Sequence, residues 1–302
     1  MEQKISDKIS IMFTEQGFSY SNWLLIRDDQ CAVVEAGLDE AGLQGADPNR
    51  VELIINSHYH IDHTRGNGFF PNAQVAIHES EADTLTDAHE FAVRNSLDEW
   101  KTLMPHLDLI NESNMRQFPD YANAGQGLNN GRPVIPLSDG QKIEFGRTYA
   151  QVLFTPGHTG GHCSFWFPEE DFLFCGDICL TRAGPWYGEH LADPAAMMES
   201  IDRIIELHPG RIVSAHIHEL VENPTERLRE FKNRIPMRDE KVFNSLKQQP
   251  STVHQLAAQN IIYRRHPSVF EEFWEKLMLN KHLSRLVADG LVVQSGEVFY
   301  PR

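Results

Sequence analysis

The hexapeptide His58-Tyr59-His60-Ile61-Asp62-His63 places four potential metal ligands within six residues, directly after the apolar run at residues 51–55. Because side chains alternate along an extended segment, His58 and His60 point the same way, whereas Tyr59 and Ile61 turn toward the interior. Residues 64–68 favour a turn into a helix, so Asp62 and His63 leave the strand axis and face a second ion. The spacing therefore predicts a site for a pair of metal ions.

Further potential ligands follow in order along the chain, each where a predicted strand stops. Residues 151–154 run into Thr155-Pro156-Gly157-His158-Thr159-Gly160-Gly161-His162. Residues 171–175 run into Gly176-Asp177, and residues 211–214 run into Ala215-His216. Strand ends therefore supply the polar side chains that would complete the site.

Together, these motifs resemble those of the metallo-β-lactamase superfamily over roughly residues 9 to 222. The resemblance implies an α/β (α+β) fold, a four-layer αββα sandwich in which helices cover two sheets. It also implies that His58, His60 and His158 bind a first metal, that Asp62, His63 and His216 bind a second, and that Asp177 bridges both. Many relatives carry Gly-His-Gly at the last ligand, where this chain has Ala215-His216-Ile217-His218. We favour His216 over His218 because it stands directly at the strand end. In the early strand, Glu35-Ala36-Gly37 replaces the Asp-x-Gly of many relatives.

Size and charge narrow the range of functions. The chain has 302 residues and a formal net charge of −16, which disfavours nucleic acid as a partner because binding it usually requires clustered Lys and Arg. The N-terminal residues lack an apolar core of signal-peptide length, and we expect no membrane span and a cytoplasmic location. The four cysteines are too few for a disulfide scaffold, and we expect them to be reduced.

Further strands and helices are predicted around the metal motifs. Short strands at residues 9–14, 22–27 and 31–35 form an opening meander with a turn at Gln16-Gly17, and residues 74–78 form another strand. A helix from about residue 79 to 104 then begins an insertion, about residues 79–132, which we interpret as a candidate lid or pocket wall. A helix is also predicted at residues 194–207, entered through Asp193-Pro194.

The C-terminal part is predicted to be a separate domain of residues 234–302, after a metallo-β-lactamase-fold domain of residues 1–233. Predicted helices at residues 238–249, 252–260 and 268–289 precede a hairpin at residues 292–300. This order resembles the C-terminal winged-helix segment of one branch of the superfamily, which includes a mitochondrial single-strand endoribonuclease and polyketide-releasing thioesterases. The third helix carries several glutamates, so we expect it to serve in packing or in forming a homodimer rather than in reading DNA.

Five histidines and two carboxylates without a cysteine ligand favour two divalent ions, with Zn2+ as the first choice and Fe or Mn as alternatives. Such a pair would bind a hydroxide that acts as nucleophile, with Asp62 and Asp177 orienting it. We predict a glyoxalase II-like metal-dependent hydrolase that acts on a small-molecule ester or thioester. The alternatives are a single-strand endoribonuclease, a non-catalytic metal-containing ligand sensor and an iron-dependent oxygenase acting on a persulfide. His162, Trp186 and Tyr187 are the predicted substrate-pocket residues, and for His162 the alternatives are a contact behind the metal ligands and a purely structural role.

Overall fold

A computed structural model of the chain describes residues 1–14, 19–43, 45–108 and 132–302. The predicted turn at Gln16-Gly17 and most of the second half of the predicted insertion lie outside these described residues. In the described part, two mixed sheets and a short C-terminal hairpin form the β structure.

The first sheet follows chain order, with its first four strands antiparallel and the rest parallel. Its strands are β1 (Glu2–Lys4), β2 (Ile9–Met12), β3 (Trp23–Arg27), β4 (Cys31–Val34), β5 (Leu53–Ile55), β6 (Gln74–His78) and β7 (Val134–Leu137). The predicted meander and the strand at residues 74–78 are therefore confirmed, and β1 is an addition that the sequence did not indicate.

The second sheet has the order β13-β12-β11-β10-β9-β8, in which only β11 and β12 pair in parallel. Its strands are β8 (Lys142–Glu144), β9 (Tyr149–Phe154), β10 (Cys163–Phe167), β11 (Phe172–Phe174), β12 (Arg211–Val213) and β13 (Val221–Glu222). Because β9, β11 and β12 run in the same direction, their carboxyl ends meet at one edge of this sheet.

The helices of the described residues cover the outer faces of these sheets and build the C-terminal part. They are α1 (Ile61–Thr64), α2 (Ala88–Arg94), α3 (Trp100–Leu103), α4 (Pro194–Leu207), α5 (Thr225–Gln248), α6 (Val253–Ala257) and α7 (Val269–Ala288), with short 3-10 helices at Glu40–Leu43, Asn67–Phe69, Glu79–Leu85, Leu97–Glu99 and Pro168–Glu170. The hairpin consists of β14 (Val292–Ser295) and β15 (Val298–Pro301).

Alternation along the strands produces three apolar layers. Phe172 and Phe174 point between the sheets, where they join residues of the first sheet such as Leu24. Leu173, between the two phenylalanines, points outward to the layer beneath α4 and α5. Leu25, next to Leu24, points to the opposite outer layer. Both faces of each sheet are thus covered, and the predicted four-layer αββα sandwich is confirmed.

Two helix predictions require correction. The predicted helix at residues 79–104 is a series of short helical pieces. Asp87 caps a new helix by accepting hydrogen bonds from the N–H groups of His89 and Glu90, and Ser96 adopts a left-handed φ of 58°. The helix predicted to begin at residue 238 begins at Thr225 and continues through Pro236. Burial of Leu228 and Val242 on either side of this proline offsets its missing N–H.

The other C-terminal predictions hold. The helix at residues 194–207 is observed, with the Asp193 carboxylate accepting hydrogen bonds from the N–H groups of Ala195 and Ala196. Helix, helix, helix and hairpin follow one another as α5, α6, α7 and β14–β15. The winged-helix assignment and the boundary at residues 233 and 234 remain predictions, and α5 runs through that boundary.

Candidate metal centre

Seven side chains converge at the edge where β5, β9, β11 and β12 end. His58, His60 and His158 form a first group, in which His158 Nε2 lies 3.2 Å from His58 Nε2 and 3.1 Å from His60 Nδ1. These three nitrogen atoms face a common point from two different sheets. The structure therefore brings together the three side chains that the resemblance assigns to a first metal.

Asp62, His63 and His216 form a second group beside the first. Asp62 Oδ2 lies 3.4 Å from His63 Nε2 and 3.2 Å from His216 Nε2. His218, in contrast, is exposed and lies against Phe13, with ring centroids 6.3 Å apart. The geometry thus agrees with the choice of His216 over His218.

Asp177 lies between the two groups and presents one oxygen to each. Its Oδ1 atom lies 3.3 Å from His63 Nε2 and 3.2 Å from His216 Nε2, whereas its Oδ2 atom lies 3.3 Å from His158 Nε2. Within the described residues, Asp177 Oδ1 and His63 Nε2 are buried polar atoms without a hydrogen-bond partner. Buried atoms of this kind need a partner, and nitrogen and oxygen donors without cysteine suit borderline divalent ions. The metal cluster, as we call these seven side chains, therefore fits two such ions.

The histidines of the metal cluster differ in pKa, because burial lowers it for some and neighbouring carboxylates raise it for others. Burial lowers the pKa of His58 and of His158 well below the ordinary value, which leaves both imidazoles neutral. Burial alone would also lower the pKa of His216, but the carboxylates of Asp177 and Asp62 outweigh it and raise the pKa to about 9. The pKa of His63 is likewise raised, because Asp62, Glu35 and Asp177 outweigh its burial. Both His63 and His216 therefore carry a positive charge that in turn lowers the pKa of a neighbouring carboxyl group.

The pKa values of the two aspartates in the metal cluster are lowered, not raised. Burial alone would raise the pKa of Asp62 and of Asp177, but the neighbouring His63 and His216 hold both values well below the ordinary range. Both carboxylates are therefore ionised at neutral pH, as metal ligands must be.

Residues behind the metal cluster orient its imidazoles. His58 Nδ1 lies 2.8 Å from Ser57 Oγ, and His158 Nδ1 lies 3.1 Å from the carbonyl oxygen of Trp186. Glu35 is fully buried at a left-handed φ of 67° and places Oε1 at 3.3 Å from His63 Nδ1. Glu35, which stands where many relatives have aspartate, thus reaches the ring of His63. Metal-binding imidazoles generally need such a contact to fix their orientation.

A second pair of buried carboxylates supports His60, and the sequence did not indicate it. Glu189 accepts a hydrogen bond from the Tyr59 hydroxyl and has Oε2 3.5 Å from His60 Nε2. Glu81 accepts hydrogen bonds from the N–H groups of Tyr59 and Gly161 and from the Thr159 hydroxyl. Burial, aided by the charge of Glu189, raises the pKa of Glu81 to about 7. No local pattern marks these residues, because their partners are distant in sequence.

The family model of the metallo-beta-lactamase superfamily matches residues 16–216, a range that contains all seven side chains of the metal cluster. The chain belongs to the metallo-β-lactamase superfamily. Proteins of this superfamily bind two divalent metal ions, typically zinc. The membership explains why the ligands follow strand ends in this order.

Curated relatives match only parts of the chain. The hydroxyacylglutathione hydrolase of Thermosynechococcus vestitus is 37% identical over 105 residues, which are 33% of this chain and 40% of that protein. The hydroxyacylglutathione hydrolase of Rhodospirillum rubrum is 29% identical over 153 residues, 50% of this chain and 43% of that protein. The chain thus spans less than half the length of these two relatives.

One solved structure covers nearly the whole chain. A metallo-beta-lactamase family protein of Thermus thermophilus superposes with a TM-score of 0.80 over 99% of this chain and 100% of that one, at 21% identity. The likeness therefore extends beyond the family match and includes the fold of the C-terminal helices. Among the helices in the described ranges, none is long and apolar enough to cross a membrane.

A cavity of about 490 Å³ opens onto the metal cluster of this metallo-β-lactamase fold. Trp186 lines it, as predicted, with its ring centroid 5.3 Å from that of His158. His162 and Tyr187 are fully buried and are not among the residues that line it. The Tyr187 hydroxyl instead contacts His282 and the guanidinium of Arg238, behind the cavity.

His162 serves the metal cluster from behind. Its Nε2 atom accepts a hydrogen bond from the N–H of Asp177, and burial lowers the pKa of His162 to about 4, which keeps that nitrogen an acceptor. Gly176 has a φ of +49°, and a Cβ there would lie 2.6 Å from His162 Nε2. Glycine before Asp177 is therefore required both by the backbone conformation and by the close approach of this ring.

Proposed function

We propose that this protein is a dinuclear metallohydrolase that acts on a small ester or thioester. The observation that carries this proposal is the position of Asp177, whose two oxygens face the two groups of the metal cluster beside the cavity. The hydrolases named among the relatives support the same reaction class, and an acylated glutathione is a thioester. The site suits two divalent ions, and we propose Zn2+ as the native metal with Fe or Mn as alternatives.

His58, His60 and His158 would hold one ion, Asp62, His63 and His216 would hold the other, and Asp177 would bridge them. The ions would lower the pKa of water toward neutrality and polarise the carbonyl oxygen of the substrate. Asp62 and Asp177 would orient that water, because both carboxylates are ionised and Asp177 lies between the two groups. Trp186, which lines the cavity, would contact the bound substrate.

In the reaction, the water oxygen would form a bond to the carbonyl carbon and release one proton to solvent. The bond from that carbon to sulfur would break, and the carboxylic acid product would then ionise. The sulfur leaves with the bonding electron pair as a thiolate. A thiol with a pKa of about 8.5 departs without prior protonation, which agrees with a site that offers carboxylates and imidazoles but needs no dedicated acid. The predicted homodimer and the predicted cytoplasmic location are further proposals that this chemistry does not depend on.

The test combines metal analysis with a substrate screen. Purified protein is analysed for bound metals, and thioesters, esters, phosphodiesters and short RNAs are offered before and after chelation. We expect two divalent ions per chain and thioester hydrolysis that is lost on chelation and restored by zinc. Turnover that survives chelation, or cleavage of RNA alone, would overturn the proposal.

A matched pair of histidine variants makes the test specific to the cluster. His216→Ala removes a predicted ligand, and we expect hydrolysis to fall by about a thousandfold because one ion loses a ligand. His218 lies two residues after His216 and is exposed. The variant His218→Ala should therefore retain hydrolysis within about twofold of the unaltered protein. Equal losses in both variants would argue against the assigned ligand set.

A further inference from the structure

The wall of the cavity opposite the metal cluster comes from the C-terminal part of the chain. Four apolar or aromatic side chains of this part line the cavity, and we call them the helical wall. They are Ile262, Tyr263, Trp274 and Met278. The cavity is therefore shared between the residues around the metal cluster and the C-terminal helices.

An aromatic surface joins the metal cluster to the helical wall. The ring centroid of Trp186 lies 5.6 Å from that of His60, and 6.1 Å from that of Trp274 at an interplanar angle of 88°. Trp274 is only half-buried because its ring faces the cavity. An apolar group bound beside the cluster would therefore contact a continuous apolar surface that ends on α7.

The charged side chains in the cavity lining are already paired. The Arg238 guanidinium donates hydrogen bonds to the carbonyl oxygens of Pro185 and Ala183 and to the Tyr187 hydroxyl. The Glu271 carboxylate accepts hydrogen bonds from the N–H and hydroxyl of Ser268. Arg238 is the only Lys or Arg in the lining that the described residues provide. This side of the cavity therefore offers little to an anionic group, such as a phosphate or a carboxylate.

A buried carboxylate fixes the loop that carries part of the helical wall. Glu275 on α7 is fully buried and accepts hydrogen bonds from the N–H groups of Ile262 and Tyr263. Its Oε2 atom also lies 2.9 Å from His266 Nε2. These contacts hold Ile262 and Tyr263 against α7, so the wall is fixed in place before a substrate binds.

We propose that the helical wall selects the acyl group of the substrate and favours an uncharged, apolar acyl body over a short one. This inference rests on the proposed function of the metal cluster. The acyl side is the natural occupant because the thiols that carry acyl groups in cells are polar, which leaves the acyl group as the apolar part of the thioester. Each methylene group that becomes fully buried adds a factor of about four to binding.

The test uses full-length, metal-loaded protein and N-acetylcysteamine thioesters that differ only in the acyl group. We expect kcat/KM to rise at least tenfold from acetyl to hexanoyl and phenylacetyl. Trp274→Ala and Met278→Ala should lower kcat/KM for the hexanoyl thioester about tenfold and for the acetyl thioester less than threefold. Met237→Ala, at an exposed position of α5, is the matched control and should change neither value.

A binding measurement separates this inference from the proposed reaction. The S-hexyl thioether of N-acetylcysteamine is not hydrolysed, and its binding to metal-free and metal-loaded protein can be followed by tryptophan fluorescence. We expect Trp274→Ala to weaken this binding about tenfold, and Trp274→Phe is the alternative variant if the alanine variant does not fold.

Equal kcat/KM values for acetyl and hexanoyl thioesters would overturn the acyl selection and leave the hydrolase proposal standing. If the metal-loaded protein hydrolyses neither thioesters nor esters, the hydrolase proposal fails and the binding measurement decides the remaining inference. Failure of the S-hexyl thioether to bind, or equal binding by Trp274→Ala, would then overturn it.

Discussion

The two sides of the cavity differ in how their side chains are held. On one side, the metal cluster stands on short loops at strand ends, and the hydrogen-bonded sheets fix each loop at its base. On the other side, Glu275 binds the loop of the helical wall, and Arg238 joins α5 to the loop that carries Trp186. Substitutions on the first side should therefore affect the reaction itself, whereas substitutions on the second should affect which substrate reacts.

Asp177→Asn should produce the largest loss of hydrolysis and would show that the metal cluster carries the reaction. The amide presents one oxygen in place of two, so it cannot face both groups of the cluster. We expect thioester hydrolysis to fall by at least about a thousandfold and the metal content to fall below two ions per chain, with the fold retained. Steady-state kinetics, elemental analysis and circular dichroism provide the three measurements.

Asp289→Asn is the control for that change, since Asp289 is exposed at the end of α7. Its turnover should stay within about twofold of the unaltered protein. Unchanged turnover in Asp177→Asn would show that the metal cluster does not carry the reaction, and the proposed difference between the two sides of the cavity would be wrong.

Metal binding should release protons, and the amount depends on the histidines of the second group. In metal-free protein the pKa of His216 is about 9 and that of His63 is raised as well, so both are imidazolium at pH 7. Ligand imidazoles must be neutral, so zinc binding should release about two protons per chain, and its affinity should rise with pH up to about 9. Calorimetry in buffers of different ionisation enthalpy measures the protons released.

The same raised pKa makes the stability of metal-free protein depend on pH. The ordinary pKa of His216 is 6.5 and its folded value is about 9, so its stabilising contribution is complete below about pH 6.5 and lost as the pH rises through 9. Urea unfolding should therefore show metal-free protein losing stability between pH 7 and pH 10, while zinc-loaded protein does not. His216→Asn should flatten the curve of the metal-free protein, and an unchanged curve would contradict the pairing of His216 with its aspartates.

Glu275→Gln tests the helical wall. The amide nitrogen of glutamine cannot accept a hydrogen bond, so one of the donors that Glu275 now satisfies would lose its partner. We expect the free energy of unfolding to fall by about 1–3 kcal/mol and kcat/KM for apolar substrates to fall several-fold. Metal content should not change.

Glu240→Gln, at an exposed position of α5, is the control and should alter neither stability nor kinetics. Loss of bound metal in Glu275→Gln would show that the two sides of the cavity are less separate than their contacts indicate.

Cysteine labelling should give the smallest effect and tests how tightly the cluster side is packed. Burial raises the pKa of Cys163 and Cys175 well above the ordinary value and that of Cys179 to about 11, so these thiols are protonated at pH 8. A thiol reagent such as DTNB should modify at most Cys31 rapidly in folded protein, and all four cysteines in urea. Rapid modification without urea of Cys175, which is fully buried and does not line the cavity, would indicate that the loop around Asp177 opens readily.

The sequence predicted the cluster side well because its signals are local. His58, Asp177 and His216 each stand three residues after the end of an apolar strand, a pattern visible in a short stretch of sequence. The strand ends that carry these side chains meet in the fold. The four-layer sandwich was predicted from the family resemblance that these same motifs carry. Trp186 was predicted to line the pocket from its loop, and it does.

What the sequence did not predict depends on long-range contacts. Glu81 and Glu189 are remote from each other along the chain, and only the folded sheets bring them to His60. Tyr187 resembles Trp186 in sequence but points to the opposite side of its loop, where Arg238 and His282 bind it. The start of α5 was placed too late because Pro236 favours a break, whereas packing on both sides of that proline keeps the helix continuous.

The continuity of α5 has a consequence for how the chain folds. Its first half packs through Leu228 and Phe231 onto the sandwich, and its second half packs through Val242 and Leu246 onto α6, α7 and the hairpin. Loss of either set of contacts would leave half of one helix without support. We therefore expect one cooperative unfolding transition for the whole chain, and a polypeptide shortened to residues 1–233 would expose an apolar helix end and aggregate.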